Sequence, residues 1–420
     1  MSGAIFAAIT GRGGAVTVLR LSGPGVFEIT AALAGGLPAP RRAVLRALRW
    51  QGRVLDHALL TCFPGPHSFT GEDTAELALH GGRAVFAAVA DALVALGARP
   101  AEPGEFSRRA FLNGRMDLLE AEAMADLIAA ETEAQRAQAV EGADALHRRC
   151  QGWREALRQV MARQEALIDF PDEDIPPEVE AGLLLRISDI CSEMQEILEA
   201  APAAERLREG LEFVILGAPN AGKSTLLNAL AGEDVAIVSA MPGTTRDAVG
   251  VRVDLGGVPV HLTDTAGLRE TRDAIEAEGM RRARAKAARA DLIIAVAAPG
   301  EAFPPVPQGA EVLRVRTKAD LAGEGVSART GQGMAQLRAT LAAAASRLTD
   351  TKGAATLARP RQIACLRDTL AALRRALAER EPECRGEELR AAAHALARLT
   401  GTIGVEEILD AVFSGFCIGK

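Results

Sequence analysis

The spacing of hydrophobic positions changes twice along the chain. From residue 1 to about 117, short apolar runs such as "AVTVLRLSG" and "AELALHGG" alternate with Gly- and Pro-containing turns, which is typical of an α+β domain. From 118 to about 209 the spacing is helical, with Leu118, Leu119, Ala123, Leu127 and Ile128 on one stripe. Helical spacing returns after about 353.

The segment between the two helical stretches has a different pattern. Its apolar runs "LEFVILG", "VPVHLTDTAG", "DLIIAVAAPG" and "EVLRVRTKAD" each end in a polar loop, and helical segments separate several of them. This arrangement is typical of a doubly wound parallel sheet, which binds ligands at the carboxyl ends of its strands. We therefore predict a multidomain α/β protein. It consists of an N-terminal α+β domain (1–117), a discontinuous all-α helical domain (118–209 and 354–420) and an inserted α/β domain (210–353).

Composition and charge narrow the class of protein. Apolar residues make up 48% of the chain and charged residues 25%, a globular balance without a membrane-spanning run. The six cysteines form no CxxC pair, which favours the cytoplasm over a disulfide-bonded or zinc-binding protein. The net charge of −7 and an aromatic content of 3% disfavour general adhesion to nucleic acid. Any RNA contact must use a local basic patch, such as residues 41–53, or be shared with a partner.

One motif identifies a phosphate-binding loop. "GAPNAGKST", Gly217 to Thr225, fits G-x-x-x-x-G-K-[ST] and lies between a predicted strand and a helical segment. Backbone N–H groups of such a loop hold phosphate. Lys223 is expected to reach the β- and γ-phosphates of a nucleotide, and the Ser224 hydroxyl is expected to bind Mg²⁺.

Three further motifs follow in the order of a GTPase. "GTTRD" supplies Thr244 and Thr245, of which Thr245 is the expected second Mg²⁺ ligand, and "DTAG" places Asp264 near that ion. In "TKAD", the Asp320 carboxylate is expected to accept hydrogen bonds from guanine, while Thr317 stands where GTPases usually have Asn. The full predicted nucleotide site is Asn220, Ala221, Gly222, Lys223, Ser224, Thr225, Ser239, Thr244, Thr245, Asp264, Thr265, Ala266, Gly267, Thr317, Lys318, Asp320, Ser327, Ala328 and Arg329.

The stretch "DTAGLRE" raises a mechanistic question. Ras-like GTPases often place a glutamine after this glycine, where it orients the attacking water. Here the position is Leu268, whose side chain forms no hydrogen bond. Either hydrolysis is impaired, or catalytic help comes from another group.

At this point the chain resembles the bacterial tRNA-modification GTPase family MnmE, also called TrmE. The resemblance rests on "GRGGAVTVLRLSG", "SFTGEDTAELALHGG", "PGEFSRRAFLNGRMDLLEAEAMADLI", "DFPDEDI", "DTAGLRE" and the terminal "FCIGK". It implies an N-terminal folate-binding domain that forms a homodimer, a discontinuous helical domain and an inserted Ras-like GTPase domain. It also implies a function: with an FAD-containing partner, MnmG or GidA, the family modifies C5 of the wobble uridine of certain tRNAs with an aminomethyl-type group. A heterotetramer or larger complex is implied.

The same resemblance implies an answer to the question about Leu268. GTPase domains of the family dimerise across the nucleotide with K⁺ beside the phosphates, and a fixed cation there replaces an arginine finger. The K⁺ ligands map to Asn220, Ser239, Met241 and Thr244. A carboxylate that positions the water indirectly maps to Glu276, which without the resemblance is a solvated helix residue.

The resemblance also implies a folate site. A reduced folate, of the 5-formyl- or methylene-tetrahydrofolate type, is the implied one-carbon source, and its site maps to Arg20, Glu76, Arg115 and Lys420. A carboxylate complements the N–H pair of a pterin, and arginines suit the carboxylates of a folate tail. Cys417 is implied in the modification reaction.

Two other functions fit parts of the sequence. A regulatory GTPase of ribosome assembly would share the GTPase motifs and leave the N-terminal block and "FCIGK" unexplained. A folate-dependent one-carbon transferase regulated by GTP would differ mainly in its acceptor.

Overall fold

The structure is a computed structural model of the chain. It describes residues 3–11, 13–169, 177–232, 250–264, 287–351 and 357–403, together with residues 409, 412, 413, 416 and 419. The chain divides into two compact units, residues 1–125 with 397–420, and residues 126–396. None of the helices in the described ranges is long and apolar enough to cross a membrane.

The first unit is built on a six-stranded sheet of order β3-β4-β5-β2-β1-β6. Its strands are β1 Ile5–Ala8, β2 Val16–Ser22, β3 Val44–Trp50, β4 Arg53–Phe63, β5 Thr74–His80 and β6 Arg99–Pro100. All neighbours are antiparallel except β1 and β6. The helices of this part are α1 Val26–Ala34, α2 Arg83–Ala95, α3 Glu105–Leu112 and α4 Leu118–Ala129, the last of which runs on into the second unit.

A single apolar core lies between this sheet and the first two helices. Alternate strand residues such as Leu19, Leu60 and Leu77 are fully buried and pack with Val26 of α1 and Leu93 of α2. The period of two in each antiparallel strand puts the intervening residues, including Arg20 and Glu76, on the opposite face.

The second unit contains a five-stranded sheet of order β11-β10-β7-β9-β8. Its strands are β7 Leu211–Gly217, β8 Gly250–Leu255, β9 Val258–Asp264, β10 Leu292–Ala297 and β11 Val312–Arg316. Only the β8–β9 pair is antiparallel. Each of the four apolar runs predicted as strands forms one, because β7, β9 and β10 are almost continuously buried.

Helices precede and follow this sheet. Before it come α5 Glu133–Ala137, a π-helical turn Gln138–Gly142, α6 Ala143–Asp169 and α7 Pro177–Glu209; within it, α8 Lys223–Leu230, α9 Ala319–Ala322 and α10 Met334–Leu348; after it, α11 Pro360–Ala378 and α12 Pro382–Thr400. Helix α7 packs against α11, although the strands of the second sheet lie between these two helices in the sequence. The predicted fold class is confirmed, whereas the three predicted domain boundaries stay a prediction.

Two polar contacts join distant segments of the second unit. The Arg208 side chain at the end of α7 donates a 2.7 Å hydrogen bond to the Ala358 carbonyl just before α11. The Arg252 guanidinium on β8 contacts both carboxylate oxygens of Glu131 at 2.9 Å. These contacts join residues that are more than one hundred positions apart in sequence.

The predicted apolar stripe lies on helix α4 and is only partly buried. Leu118 and Leu119 are buried, but Leu127 is 41% exposed and Ile128 is 39% exposed. A helical period specifies that a helix has an apolar face, and it does not specify that a neighbouring element covers the whole length of that face.

Candidate functional site: a phosphate-binding loop and an N-terminal polar cluster

The phosphate-binding loop joins β7 to α8 at the carboxyl edge of the second sheet. Strand β7 is central, ends at Gly217, and is followed by a loop that reaches α8 at Lys223. Asn220 in this loop has a φ of 62°, in the left-handed region that Asn tolerates better than most residues. The first N–H groups of α8, which have no partner within a helix, point toward this loop.

Lys223 lies inside the loop. Its side chain is 6% exposed, and its ammonium group donates hydrogen bonds to the carbonyls of Gly217 at 3.0 Å and Ala218 at 2.8 Å. These bonds hold the positively charged ammonium group beside two backbone carbonyls of the loop. The loop therefore presents both N–H donors and a cation to an anionic ligand.

A hydroxyl and a carboxylate meet beside this loop. The Ser224 hydroxyl donates a 2.5 Å hydrogen bond to the Asp264 carboxylate, which is 1% exposed at the end of β9. Strand register brings them together, because β9 is the parallel neighbour of β7 and Asp264 lies opposite Ile215. Two oxygens in this position suit Mg²⁺, which prefers hard oxygen ligands and substrate phosphates.

The Thr317 side chain connects the end of β11 to the phosphate-binding loop. It is 4% exposed, and its hydroxyl donates a 2.6 Å hydrogen bond to the Ala221 carbonyl. The shorter side chain that stands in place of Asn thus keeps a direct contact with the phosphate loop.

A second hydrogen bond fixes the predicted guanine-binding carboxylate. The buried Ser327 hydroxyl donates to Asp320 Oδ1 at 2.8 Å, and Lys318, within "TKAD", has a φ of 56°. The sequence predicts Ser327 in the nucleotide site and does not predict this side-chain contact. Ala328 is half-buried and Arg329 is exposed in the same loop.

Several predicted site residues lie outside the described residues. They are Ser239, Met241, Thr244, Thr245, Thr265, Ala266, Gly267, Leu268, Glu276, Cys417 and Lys420. Of the predicted K⁺ ligands the structure describes Asn220, and of the predicted Mg²⁺ ligands it describes Ser224. Ala221, Gly222 and Thr225 lie at the loop and the start of α8 as expected.

The N-terminal cluster brings together two of the residues mapped to folate. Arg20 on β2 lies directly opposite Glu76 on β5, and its Nε and Nη2 both donate to Glu76 Oε1 at 2.9 and 2.8 Å. Because both bonds use one oxygen, Glu76 Oε2 stays available to accept from another donor. The Arg20 guanidinium also lies 4.7 Å from the ring centre of Phe69.

Arg115 is exposed and lies just after α3. Its side-chain stem lies against Gly71, where a Cβ atom would be 3.1 Å from Arg115 Cγ. Gly71 belongs to the loop that leads into β5, the strand that contains Glu76. The structure therefore places Arg115 against the loop that leads to Glu76.

A buried charge network lies in the same unit, and the sequence analysis did not predict it. Arg109 is 3% exposed and contacts both Glu105 and Glu72 at 3.0 Å, while Ser22 donates to Glu72 at 3.1 Å. Arg99 also contacts Glu105. Burial raises the pKa of Glu105, but the hydrogen bonds from Arg99, the Glu102 N–H and Arg109 outweigh it, so its pKa is lowered. The network thus pairs each of these charges, although Arg109 Nε is buried and has no hydrogen-bond partner among the described residues.

The C-terminal residues that the structure describes pack within the first unit. At Gly419, whose φ is 103°, a Cβ atom would lie 2.2 Å from the Ala8 carbonyl at the end of β1. At Gly104, a Cβ atom would lie 2.3 Å from the Phe413 carbonyl. These two close approaches need glycine, and they hold the tail beside β1, whose Ala7 lies opposite Arg20.

Comparison with known proteins gives two family matches. Residues 4–115 match the model for the GTP-binding protein TrmE N-terminus, and residues 118–417 match the model for the MnmE helical domain. The two matched ranges meet where the hydrophobic pattern first changes.

Curated relatives match over the whole chain. A tRNA modification GTPase MnmE from Acidiphilium cryptum is 62% identical over 100% of this chain and 99% of its own length. A protein of the same name from Gluconacetobacter diazotrophicus is 55% identical over 99% of this chain and 98% of its own length. Among solved structures, Aquifex aeolicus Era bound to GDP and AlF4⁻ has 24% identity, covers 40% of this chain and 68% of its own, and has a TM-score of 0.27, too low to bear on the assignment.

The predicted resemblance is confirmed by these matches, which agree over both the N-terminal and the helical parts of the chain. The chain belongs to the tRNA modification GTPase MnmE family.

Proposed function

We propose that this protein is a GTP hydrolase whose activity serves the modification of tRNA. The observation that carries the proposal is the edge of the second sheet, where Lys223, the Ser224–Asp264 pair and the Asp320–Ser327 pair all follow strand ends or the phosphate loop. In this proposal Lys223 stabilises charge on the β- and γ-phosphates, and Ser224, Thr245 and the nearby Asp264 hold Mg²⁺. The ion supplies Lewis-acid stabilisation of phosphate charge when it is bound.

Selection of guanine depends on Asp320 in this proposal. Its Oδ1 is held by Ser327, so the carboxylate is oriented before the base arrives. Asp320→Asn replaces one acceptor oxygen with a donor and should lower the preference for GTP over XTP. Competition binding with the two nucleotides measures this preference. An unchanged preference would remove Asp320 from the guanine site.

K⁺ is the proposed substitute for an arginine finger and for the missing glutamine at Leu268. An arginine finger is worth about 10³–10⁵ in rate, and we expect K⁺ to supply a good part of that. The proposed K⁺ ligands are the Asn220 side-chain carbonyl, Ser239, Met241 and Thr244. Of these four residues, Asn220 is among the described residues. Hydrolysis in KCl and NaCl at equal ionic strength tests the idea, and equal rates would contradict it.

The variant at Asn220 must preserve the backbone. Because Ala at a φ of 62° is strained by about 1–2 kcal/mol, Asn220→Ala alone confuses a lost ligand with a distorted loop. Asn220→Gly accepts the same φ and removes the amide. Loss of the K⁺ response in both variants, with GDP affinity kept in Asn220→Gly, supports K⁺ ligation.

Glu276 is the proposed residue that positions the attacking water indirectly. Glu276→Ala should lower kcat and leave nucleotide affinity almost unchanged, because the residue would act only when water attacks. Single-turnover hydrolysis with saturating GTP measures the effect. Weaker binding with intact single-turnover hydrolysis would show that the assignment is wrong.

The proposed modification chemistry takes place in the first unit. With an FAD-containing partner of the MnmG type, the protein would help install a (carboxymethyl)aminomethyl-type group on C5 of uridine 34. The free Glu76 Oε2 supports binding of a pterin N–H pair from a reduced folate, and Arg20 and Arg115 supply cations for the rest of that ligand. The folate would supply the one-carbon unit. Homodimerisation through the N-terminal domain is part of this proposal.

The tail is the proposed link between the folate and the reaction. Cys417 is proposed to act in modification, and Lys420 to contact the folate; the contacts of Gly419 with β1 support a tail in that area. Cys417→Ser should keep GTP hydrolysis in K⁺ and folate binding while uridine 34 stays unmodified. Full restoration of the modification by this variant would leave Cys417 without a chemical role.

Mass analysis of uridine 34 in tRNA from a deletion strain is the decisive experiment. We expect loss of the modified nucleoside and its restoration by the wild-type chain. An unchanged nucleoside together with a ribosome-assembly defect would instead favour a regulatory GTPase. An unchanged nucleoside with a defect in another folate-dependent product would favour a one-carbon transferase.

A further inference from the structure

A run of arginines lies along one edge of the first sheet. Between Glu28 and Asp56 the chain contains five arginines and no acidic residue, although the whole chain has a net charge of −7. They are Arg41, Arg42, Arg46, Arg49 and Arg53. We call this set the arginine edge.

The arginine edge follows the outermost strand of the sheet. Arg46 and Arg49 lie on β3, which pairs only with β4 in the strand order. Arg53 begins β4 after a two-residue turn in which Gln51 and Gly52 have φ values of 48° and 76°. These values are those of a type I′ hairpin, which places Arg49 and Arg53 at the same tip.

Most of these guanidinium groups have no protein partner. Among the residues that the structure describes, Arg42, Arg46, Arg49 and Arg53 contact no carboxylate and no other acceptor within hydrogen-bonding distance. Arg41 instead donates to the His67 carbonyl. Arg20, Arg99, Arg109, Arg136, Arg158, Arg359 and Arg390 all form ion pairs.

The acidic groups on neighbouring elements do not neutralise this edge. Asp56 on β4 is buried, and its carboxylate accepts from the backbone N–H groups of His57 and His80 and contacts the His80 ring at 2.6 Å. Glu28 on α1, the helix packed against β3, is exposed and forms no described contact with these arginines. The edge therefore keeps its positive charge.

We infer that the arginine edge binds the phosphate backbone of RNA, and this inference rests on the proposed function in tRNA modification. Unpaired guanidinium groups bind phosphate oxygens through two parallel N–H donors. At a rise of roughly 3.3 Å per strand residue, β3 from Val44 to Trp50 spans about 20 Å, enough for several nucleotides, and Arg42 lies two residues before this strand. An extended row of cations matches an extended row of phosphates better than it matches one small anion.

The arginine edge recognises phosphate charge rather than base sequence. Trp50, the aromatic residue of β3, packs against the apolar core, so its ring does not form an open stacking platform. Helical RNA is recognised largely through its shape and its phosphates. The arginine edge should accordingly bind tRNA and an unrelated RNA duplex with similar affinity, leaving the choice of uridine to another part of the protein.

A triple variant with a matched control tests the inference. Arg42→Gln, Arg49→Gln and Arg53→Gln together remove three exposed charges from the arginine edge. The control is Arg154→Gln, Arg163→Gln and Arg367→Gln, three exposed helical arginines that contact no partner among the described residues. Both triple variants change the net charge by the same amount.

The readout is binding of fluorescent tRNA by the full-length chain at 50 to 200 mM KCl. We expect the edge variant to lose affinity by about tenfold or more at 50 mM, and its log–log salt slope to be shallower by about 3, one for each phosphate contact. The control variant should keep the wild-type affinity and slope. Both variants should keep the wild-type GTPase rate and unfolding midpoint.

Other outcomes overturn the inference. Equal losses in the two triple variants would show a general electrostatic effect, and an edge variant that keeps tRNA affinity but loses binding to an acidic partner protein would show a protein interface. Wild-type binding too weak to measure would also exclude the RNA surface.

Uridine 34 analysis in the complemented deletion strain separates the two proposals. Restoration of the nucleoside by both wild type and edge variant leaves the proposed function intact and removes the arginine edge, whereas no change on deletion rejects the proposed function.

Discussion

The phosphate-binding loop and the N-terminal cluster around Arg20 and Glu76 take their polar groups from the chain in different ways. The loop draws on one continuous stretch from Gly217 to Ser224, and many of its groups are backbone atoms. The cluster draws on side chains from β2, from β5 and from the residues after α3. Beneath it, the buried Arg109 network connects α3 to the loop before β5.

Because of this difference, we expect substitutions in the loop and substitutions in the Arg109 network to affect different properties of the protein. In the loop, the shape follows from backbone angles, so a side chain such as Lys223 is available for ligand charge. In the first unit, the buried charges of Arg109 and Glu105 are paired, so the loss of one leaves the other without compensation. We therefore expect changes in the loop to affect turnover, and changes in the network to affect folding.

The largest effect should come from Lys223. Lys223→Ala removes the cation that the loop holds at 3.0 Å or less from two carbonyls. We expect kcat for GTP hydrolysis to fall by roughly 10²–10³, as for loss of a positioned transition-state donor, with little change in unfolding. Phosphate release and circular dichroism measure the two. A rate within threefold of wild type would contradict the comparison.

Arg109 should have the largest effect on stability. Arg109→Leu leaves Glu105, which is 4% exposed, without one of its two arginines and should lower the free energy of unfolding by about 3–5 kcal/mol. Arg20→Leu breaks a pair that is 16% and 25% exposed and should cost less. Urea unfolding in a Trp153→Phe background reports on the first unit, because Trp50 is then the one remaining tryptophan.

The same network predicts a dependence on pH. Because the pKa of Glu105 is lowered in the folded protein, its contribution is fully present above its unfolded pKa of about 4.3 and is lost as the pH falls through the folded value. Glu105→Gln should be less stable at pH 7 and should lose less stability between pH 5 and 3 than wild type. Parallel acid profiles for the two proteins would argue against this assignment.

Gly419 should have an intermediate effect on modification alone. Gly419→Ala places a Cβ atom against the Ala8 carbonyl and strains a φ of 103°, which together should weaken tail docking by about 2 kcal/mol. Modification of uridine 34 should fall roughly tenfold or more while GTP hydrolysis is kept. Gly97→Ala is the control, because Gly97 has a φ of 97° and no atom within 4 Å of its Cβ position. Equal modification in the two variants would show that the close approach is unimportant.

Thr317 should have a smaller effect on nucleotide affinity. Thr317→Val keeps the volume and leaves the Ala221 carbonyl without its hydroxyl donor, at a cost of about 1–3 kcal/mol. GDP binding measured by calorimetry should weaken accordingly. Thr317→Ser retains the hydroxyl and should bind GDP nearly as well as wild type. Equal weakening in both variants would mean that packing of the methyl group matters more than the hydrogen bond.

The smallest effect should come from the Arg252–Glu131 pair. It is 34% and 18% exposed, so a double-mutant cycle with Ala should give a coupling energy of about 0.5–1 kcal/mol. Chemical unfolding of the wild type, both single variants and the double variant provides the cycle. A coupling above about 2 kcal/mol would place this pair with the Arg109 network instead of with the surface pairs.

The sequence predicted those parts of the molecule whose signal is local. The strands β7, β9, β10 and β11 were visible as apolar runs, and the phosphate loop as one continuous motif. Helical spacing stops near residue 209 and resumes after 353, and the five strands of the second sheet lie between these two positions. In each case neighbouring residues in sequence carry the structural information.

Contacts between distant residues were not predictable in this way. Glu72, Glu105 and Arg109 look like ordinary surface charges until strand β5 and helix α3 bring them together. Ser327 gave no sign that it orients Asp320. The opposition of Arg20 and Glu76 depends on the register of two strands more than fifty residues apart, which family resemblance suggested and periodicity did not.

The contact between Arg208 and Ala358 has a consequence for how the chain folds. Helices α7 and α11 pack together although 150 positions separate Arg208 from Ala358. Closing a flexible loop of this length costs about 2.4 kcal/mol more than closing one of about ten residues. If the strands from Leu211 to Arg316 pair first, the ends of that loop are already close and most of this entropy cost is removed. The helices would then assemble after the sheet whose strands separate them in the sequence. That sheet would act as the folding nucleus for the helices that precede and follow it.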